Sequence, residues 1–460
     1  MTDTTKSSTM GCLLAANELE LLRTLLPGIH SAEIAHGITA MPTAERLRVF
    51  LLLPLRRQAD VVGYLDAPEQ LETVRALKRP DLIALIGAMP ADKRADLFKQ
   101  LSADEQTALL PDIELAQRED MLKLAAYPEG TAGAIMTSEY AHLLAELSAS
   151  EAIEVLRREA LDKELIYQCY VVDAHKKLQG VVSLPELLLA SESACVGELM
   201  QTHGIVGHAH DSKESTAEKI AKYDLLALPI VDESGILLGV VTVDDAMEVS
   251  ESARGRNMVK FGGNASIGSS PDISLAHSSF RQIFTTRAFW LSILTIFGII
   301  TSTFVAAQEE MLSEILILAA FIAPIIDSGG NTGSQSATLV IRAMALGETQ
   351  LRWRDLWLVM RRELPVVLAL GAVIGVMEVV LAYFSKGIGV EVMLIVGLSM
   401  FICMVLGGLI GALLPFAARF IGADPATLSA PLITSIMDLL GVVVFFGLAY
   451  AFMGHLLTGA

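Results

Sequence analysis

The sequence is poor in residues that cross-link a chain or give it positive charge. Only 4 of its 460 residues are cysteine. Cys12, Cys169, Cys195 and Cys403 form no CxxC and no metal-type spacing, so a disulfide scaffold or zinc module is not indicated. The soluble part is therefore expected in the cytosol. Basic residues number 34 against 52 acidic ones, a formal net charge of −18. Nucleic acid attracts basic patches, so this balance argues against it as a partner; it is compatible with cations as ligands or regulators. There is no GxxxxGK[ST], HExxH or GxSxG, so an enzyme, or ATP hydrolysis as an energy source, is not indicated. The N-terminus has no apolar signal-peptide core, and residues 1–12 are expected to be disordered.

What is abundant is apolar surface. Hydrophobic residues make up 53% of the chain and charged ones 19%, with a mean hydropathy of +0.52. That is too apolar for one soluble protein of this length and too charged for an all-membrane one. Residues 287–460 carry 8 basic and 11 acidic side chains, whereas residues 1–286 carry 26 and 41. Five apolar spans are predicted near 288–306, 313–341, 364–384, 391–415 and 428–453. Each reaches the ~20 residues needed to cross about 30 Å of hydrocarbon. Arg281 and Arg287 precede span one, Arg342, Arg352, Arg354, Arg361 and Arg362 lie between spans two and three, and Arg419 lies between four and five. The opposite side has only Lys386, so the positive-inside rule places the N-terminal half in the cytoplasm and the C-terminus outside a plasma membrane.

The soluble half reads as two repeats of different kinds. Ile38-Thr39-Ala40-Met41-Pro42 with Arg46 and Phe50 recurs 48 residues later as Ile86-Gly87-Ala88-Met89-Pro90 with Arg94 and Phe98. Each proline is expected to start a helix, and short repeated helices stack into a superhelix, here over residues 13–134. Residues 135–250 change character. Tyr170-Val171-Val172-Asp173 and Gly180-Val181-Val182-Ser183 return 59 residues on as Pro229-Ile230-Val231-Asp232 and Gly239-Val240-Val241-Thr242. Flanked by helical stretches, these two β-α-β-β-α copies resemble a CBS-domain pair. Residues 251–286 are rich in Gly and Ser (Gly255, Gly262, Gly263, Gly268, Ser269, Ser270) and read as a connector, helical at its start. The predicted class is α plus α/β plus a polytopic α-helical membrane domain of residues 287–460.

Ionisable residues inside a bilayer mark an ion path or a buried pair. Asp327, Glu378 and Asp438 are such residues. Thr434 and Ser435 precede Asp438 by four and three positions and are expected to share its helix face. In span two, Asp327, Asn331 and Gln335 recur every four residues beside Gly329, Gly330 and Gly333. These glycines permit local unwinding, which would offer carbonyls to a hard cation or its waters; close helix packing is the alternative. Glu378 follows Gly371 and Gly375, and a structural buried pair and a functional role both stay open. Gly407 and Gly411 in span four read as packing positions.

This order of modules resembles the MgtE magnesium channel and transporter family. The segment Gly329-Gly330-Asn331-Thr332-Gly333-Ser334-Gln335-Ser336 matches its most specific motif. Tyr127-Pro128-Glu129, Arg342 with Gly347-Glu348, and Asp424-Pro425-Ala426 followed by Pro431, Thr434, Asp438 and Gly441 match as well. The resemblance implies a homodimer with a pore on its two-fold axis, where Asp438 of each subunit attracts hydrated Mg²⁺; the preference among Mg²⁺, Co²⁺ and related divalents stays open. It also implies feedback by cytosolic Mg²⁺ through acids matching Asp92, Asp96, Glu214, Asp224, Asp245, Glu248 and Asp424. One departure is expected to weaken that feedback. The family's acidic pair before Gly262-Gly263 is replaced by Arg256 and Asn257, and an upstream acid by Ala253, with Arg254 added nearby. Thr242 and Asp245, with Ser183 and Glu186 in the first copy, resemble the pair that holds the ribose of ATP or another adenine nucleotide in CBS domains. A carrier coupled to Na⁺ or H⁺ through Glu378 or Asp327 remains the alternative to a channel.

Overall fold

The computed structural model describes residues 19–454, apart from positions 40, 160–162, 164, 203, 262–277, 346, 347, 350, 388, 423 and 426–429. The expectation of a disordered stretch at 1–12, and most of the connector with Gly262, Gly263, Gly268, Ser269 and Ser270, lie outside the described residues, as do Gly347 and Ala426. The chain divides into two compact units between Ser252 and Ala253.

The first unit begins with short helices. Those at Thr43–Phe50 and Ala91–Gln100 start directly after Pro42 and Pro90, whose fixed φ sets the turn before each. Ser31–Thr39 packs on Leu55–Gly63, Thr43–Phe50 on Ala67–Ala76, Leu55–Gly63 on Arg79–Ala88, and Ala91–Gln100 on both Ala67–Ala76 and Leu115–Ala125. Each helix thus meets the one two places along, which is the superhelical stack predicted from the repeat. The repeated arginines explain the constant offset. Arg46 and Arg94 are both buried, and each donates from Nη2 to the carbonyl of the methionine five residues earlier, Met41 at 3.4 Å and Met89 at 3.0 Å. Each thereby satisfies a carbonyl at a helix end that has no helical partner.

Two three-stranded sheets follow. β1 (Tyr140–Leu144) runs parallel to β2 (Leu165–Val172), which is antiparallel to β3 (Leu178–Ser183). β4 (Gly207–His208), β5 (Ala227–Val231) and β6 (Leu237–Thr242) repeat that order. The turns between the paired strands are copies too. Asp173 Oδ1 accepts from the N–H of His175 and Lys177, and Asp232 Oδ1 from those of Ser234 and Ile236. The buried core that holds the N-terminal helices, with Leu85, Ala91 and Ala95, is continuous with Leu228, Val241, Ala246 and Val249 of the second repeat.

The second unit contains five helices long and apolar enough to cross a membrane: span one Phe280–Ala306, span two Leu316–Ala345, span three Trp353–Ser385, span four Val390–Phe420 and span five Pro431–Met453. Spans two and three both pack along span four, and span five lies against spans one, two and four. Glycines decide how closely they approach. A Cβ on Gly407 would collide with the carbonyl of Gly329, and one on Gly411 with that of Gly333. A Cβ on Gly333 would in turn lie 2.7 Å from the carbonyl of Gly407.

This packing corrects the expectation of local unwinding at Gly329 and Gly330. The helix Ala319–Ala345 runs unbroken through Pro324 and the glycine run. Gly329 is consumed by contact with span four, where an added Cβ would lie 3.1 Å from the Cys403 carbonyl oxygen. Gly407 and Gly411 are packing positions, as read from the sequence.

Candidate ion site

Within the membrane unit, spans two and five present one polar face. Asp327 and Asn331 are exposed, and Asn331 donates from Nδ2 to Asp327 Oδ2 at 2.9 Å. The i, i+4 spacing makes that bond possible on an intact helix. Gly330 sits against Thr434 of span five, where an added Cβ would lie 3.5 Å from the Thr434 Cα. Thr434 is exposed and Asp438, one turn on, is half-buried; three residues further, a Cβ on Gly441 would lie 3.5 Å from the Cα of Ile326, the neighbour of Asp327. Asp327, Asn331, Thr434 and Asp438 are thereby brought together.

Ser435 is not. It is buried, so the expectation that it shares the face of Thr434 and Asp438 is corrected. Positions i−3 and i−4 differ by about 100° around a helix, and here only i−4 points to the open side. Glu378 makes no ion pair among the described residues, so the buried-pair reading finds no support in the protomer. An intramembrane acid that the sequence reading missed is Glu363. Ser336, buried at the end of the glycine motif, donates from Oγ to Glu363 Oε1 at 2.5 Å. Its position beside Arg361 and Arg362 made it look like part of a charged loop.

In the first unit, the acids read as a cation sensor fall into separate groups. Asp92 is buried and its Oδ1 has no hydrogen-bond partner. Burial pushes its carboxyl up to about 7, and the charge of Asp245 adds to the shift. Lys93 lies between these acids, with Nζ 3.0 Å from Asp245 Oδ1, 3.4 Å from Glu248 Oε2 and 3.7 Å from Asp92 Oδ2. Burial pulls its ammonium down, but the charges of Asp245, Asp92 and Glu248 outweigh this and hold it above the usual lysine value. Asp96, raised by burial, pairs with Lys99 at 3.2 Å. Glu214 lies in the first turn of Lys213–Lys222, and Asp224 is an exposed turn residue with φ of 51°. Asp424 is exposed between spans four and five. Among the described residues no three His, Cys, Asp or Glu side chains converge as ready metal ligands. The sequence reading singled out the acids and passed over Lys93, although it directly follows Asp92.

The residues matched to a ribose site differ between the copies. Thr242 donates from Oγ1 to Asp245 Oδ2 at 2.7 Å, and both are buried. Ser183 and Glu186 instead form a capping box on the helix Leu184–Leu189, with Glu186 accepting from the backbone N–H and the hydroxyl of Ser183, each at 2.7 Å. In the connecting helix Val243–Phe261, Arg254 is exposed and Arg256 half-buried; the side chain of Asn257 lies outside the described residues.

A family model for divalent cation transporters of the MgtE type matches residues 322–448, one for the MgtE intracellular N domain matches 29–130, and CBS-domain models match 132–193 and 196–252. The magnesium transporter MgtE of Thermus thermophilus is 32% identical over 441 residues, covering 95% of this chain and 96% of that protein. MgtE of Bacillus subtilis is 28% identical over 444 residues, with 96% of each covered. Among solved structures, the cytosolic domain of the Mg²⁺ channel MgtE in complex with ATP is similar at a TM-score of 0.51 and 31% identity, covering 53% of this chain and 99% of that one. With the N-domain, CBS and transporter models matching successive parts of the chain and a relative of 32% identity covering 95% of it, the chain belongs to the MgtE family of magnesium transporters.

Proposed function

We propose that the protein is a Mg²⁺ channel of the plasma membrane, working as a homodimer with its N-terminal unit in the cytoplasm. The observation that carries this reading is the polar face of Asp327, Asn331, Thr434 and Asp438 on otherwise apolar spans. A carboxylate turned to lipid costs about 2.5–3.5 kcal/mol or more. A second copy related by a two-fold axis would cover the face and set two Asp438 carboxylates across a water-filled path. Mg²⁺ dehydrates reluctantly and prefers octahedral oxygen coordination. Carboxylates, the Asn331 amide and the Thr434 hydroxyl suit its bound waters. Basic residues between spans two and three and between four and five support the orientation.

Mg²⁺ uptake into proteoliposomes, driven by membrane potential without a Na⁺ or H⁺ gradient, tests the reading. Asp438→Asn is expected to lower flux by about tenfold or more, the equivalent of at least about 1.4 kcal/mol. Unchanged flux would remove the assignment, and strict dependence on a Na⁺ or H⁺ gradient would replace the channel with a carrier.

Regulation by cytosolic Mg²⁺ at the acids around Asp92, Asp96, Glu214, Asp224, Asp245, Glu248 and Asp424 belongs to the same proposal. So does an adenine nucleotide at the CBS pair, supported by the ATP complex of the similar cytosolic domain and by the Thr242–Asp245 pair. Calorimetric titration of the full-length protein with ATP should detect binding, and Thr242→Ala should weaken it several-fold. No heat in either protein would remove the nucleotide.

A further inference from the structure

The junction between the helix Ala91–Gln100 and the helix Val243–Phe261 already contains a cation. Asp92 comes from the first helix, Asp245 and Glu248 from the second, and the Lys93 ammonium lies within 3.7 Å of all three. Asp245 is held from its other side by the Thr242 hydroxyl at 2.7 Å, so its carboxylate is fixed before Lys93 reaches it. Ala91, Ala95, Ala246 and Val249 belong to one buried cluster, which places this charge group at the edge of an apolar contact. Three carboxylates gathered at such an edge repel unless a cation lies among them.

We propose that Lys93 is a built-in latch: its ammonium holds the N-terminal helices against the second CBS repeat and takes the place that a free divalent cation would need to take to join these acids. A tethered ammonium acts at an effective concentration well above that of a free ion. A divalent ion entering the same position would also meet its positive charge. The junction is therefore shut in the absence of divalent cation, and removing Lys93 makes it cation-dependent. This inference rests on the reading of these acids as a group able to take a cation, and it narrows that reading: with Lys93 in place, feedback by cytosolic Mg²⁺ is left to Asp96, Glu214, Asp224 and Asp424.

Hydrogen–deuterium exchange of the full-length protein in detergent, in EDTA and in Mg²⁺, follows the peptides covering 91–100 and 243–252. The wild type is expected to show the same protection in both. Lys93→Ala is expected to lose about tenfold in EDTA, the equivalent of about 1.4 kcal/mol, and to recover in Mg²⁺. Lys93→Arg, which keeps the charge, is expected to stay protected. Loss of protection in the wild type on adding EDTA overturns the latch, whatever the variants do. Full protection of Lys93→Ala in EDTA overturns it as well. Opening of Lys93→Ala in EDTA that Mg²⁺ fails to reverse leaves the latch standing and removes the cation-responsive reading instead.

Discussion

The acids of the membrane unit and those of the Lys93 junction in the first unit make an instructive pair. Asp327 and Asp438 lie on one open face of spans two and five with an amide and a hydroxyl as neighbours, and among the described residues no basic side chain forms an ion pair with either. Asp92, Asp245 and Glu248 are also drawn together, but around the Lys93 ammonium. On the proposed reading, the first group is left open for a cation that comes and goes. The second has its counter-charge covalently attached and uses it to join two elements. Acid clustering is common to both, so clustering alone does not distinguish a conduction site from a structural junction; the presence of a tethered cation does.

The difference can be erased deliberately. Asn331→Lys would put an ammonium one helical turn from Asp327, giving the membrane face its own counter-charge. Proteoliposome flux should then fall by at least about tenfold, equivalent to about 1.4 kcal/mol. A variant that conducts normally would show that a free carboxylate face is not what carries the ion. Packing that presents this face can be disturbed separately. Gly411→Ala pushes a methyl group into the carbonyl of Gly333 and should destabilise the membrane unit by about 1–3 kcal/mol. A lowered thermal midpoint in detergent, with the first unit unchanged, is the expected result; an unchanged midpoint would contradict the close approach of spans two and four.

A separate effect concerns pH at the junction in the first unit. Asp92 is raised from the usual 3.8 to about 7, chiefly by burial. The folded state thus holds this proton more tightly than the unfolded chain. Its contribution to stability is present at low pH and is lost as pH rises from about 4 through about 7. Denaturant unfolding of the first unit should show that slope, and Asp92→Asn should flatten it. An equal slope in the variant would assign the effect to another group.

Much of the architecture could be anticipated because it depends on periodic signals. Hydrophobic runs of sufficient length gave the five spans, and the duplicated Val-Val strands with their Asp turns gave the two sheets. The Arg46 and Arg94 offset pointed to stacked helices, and the structure supplies its cause in the carbonyls of Met41 and Met89. The failures have a common origin. Glycines in a polar run suit both unwinding and tight packing, and Gly407 and Gly411, over 70 residues away in sequence, selected packing. Ser435 and Thr434 are both one turn from Asp438, and only the neighbours of span five decide which is covered.

The amino-acid order alone therefore established the modules, their membrane-crossing lengths and three of the acids within those spans, Asp327, Glu378 and Asp438, because composition and period act locally along the chain. Three-dimensional packing decided which of those acids stand open, which glycines are consumed by close contact, and that Lys93 reaches Asp245 from 152 residues away. Such pairings depend on which surfaces meet when the apolar faces are buried, and no local pattern encodes that meeting.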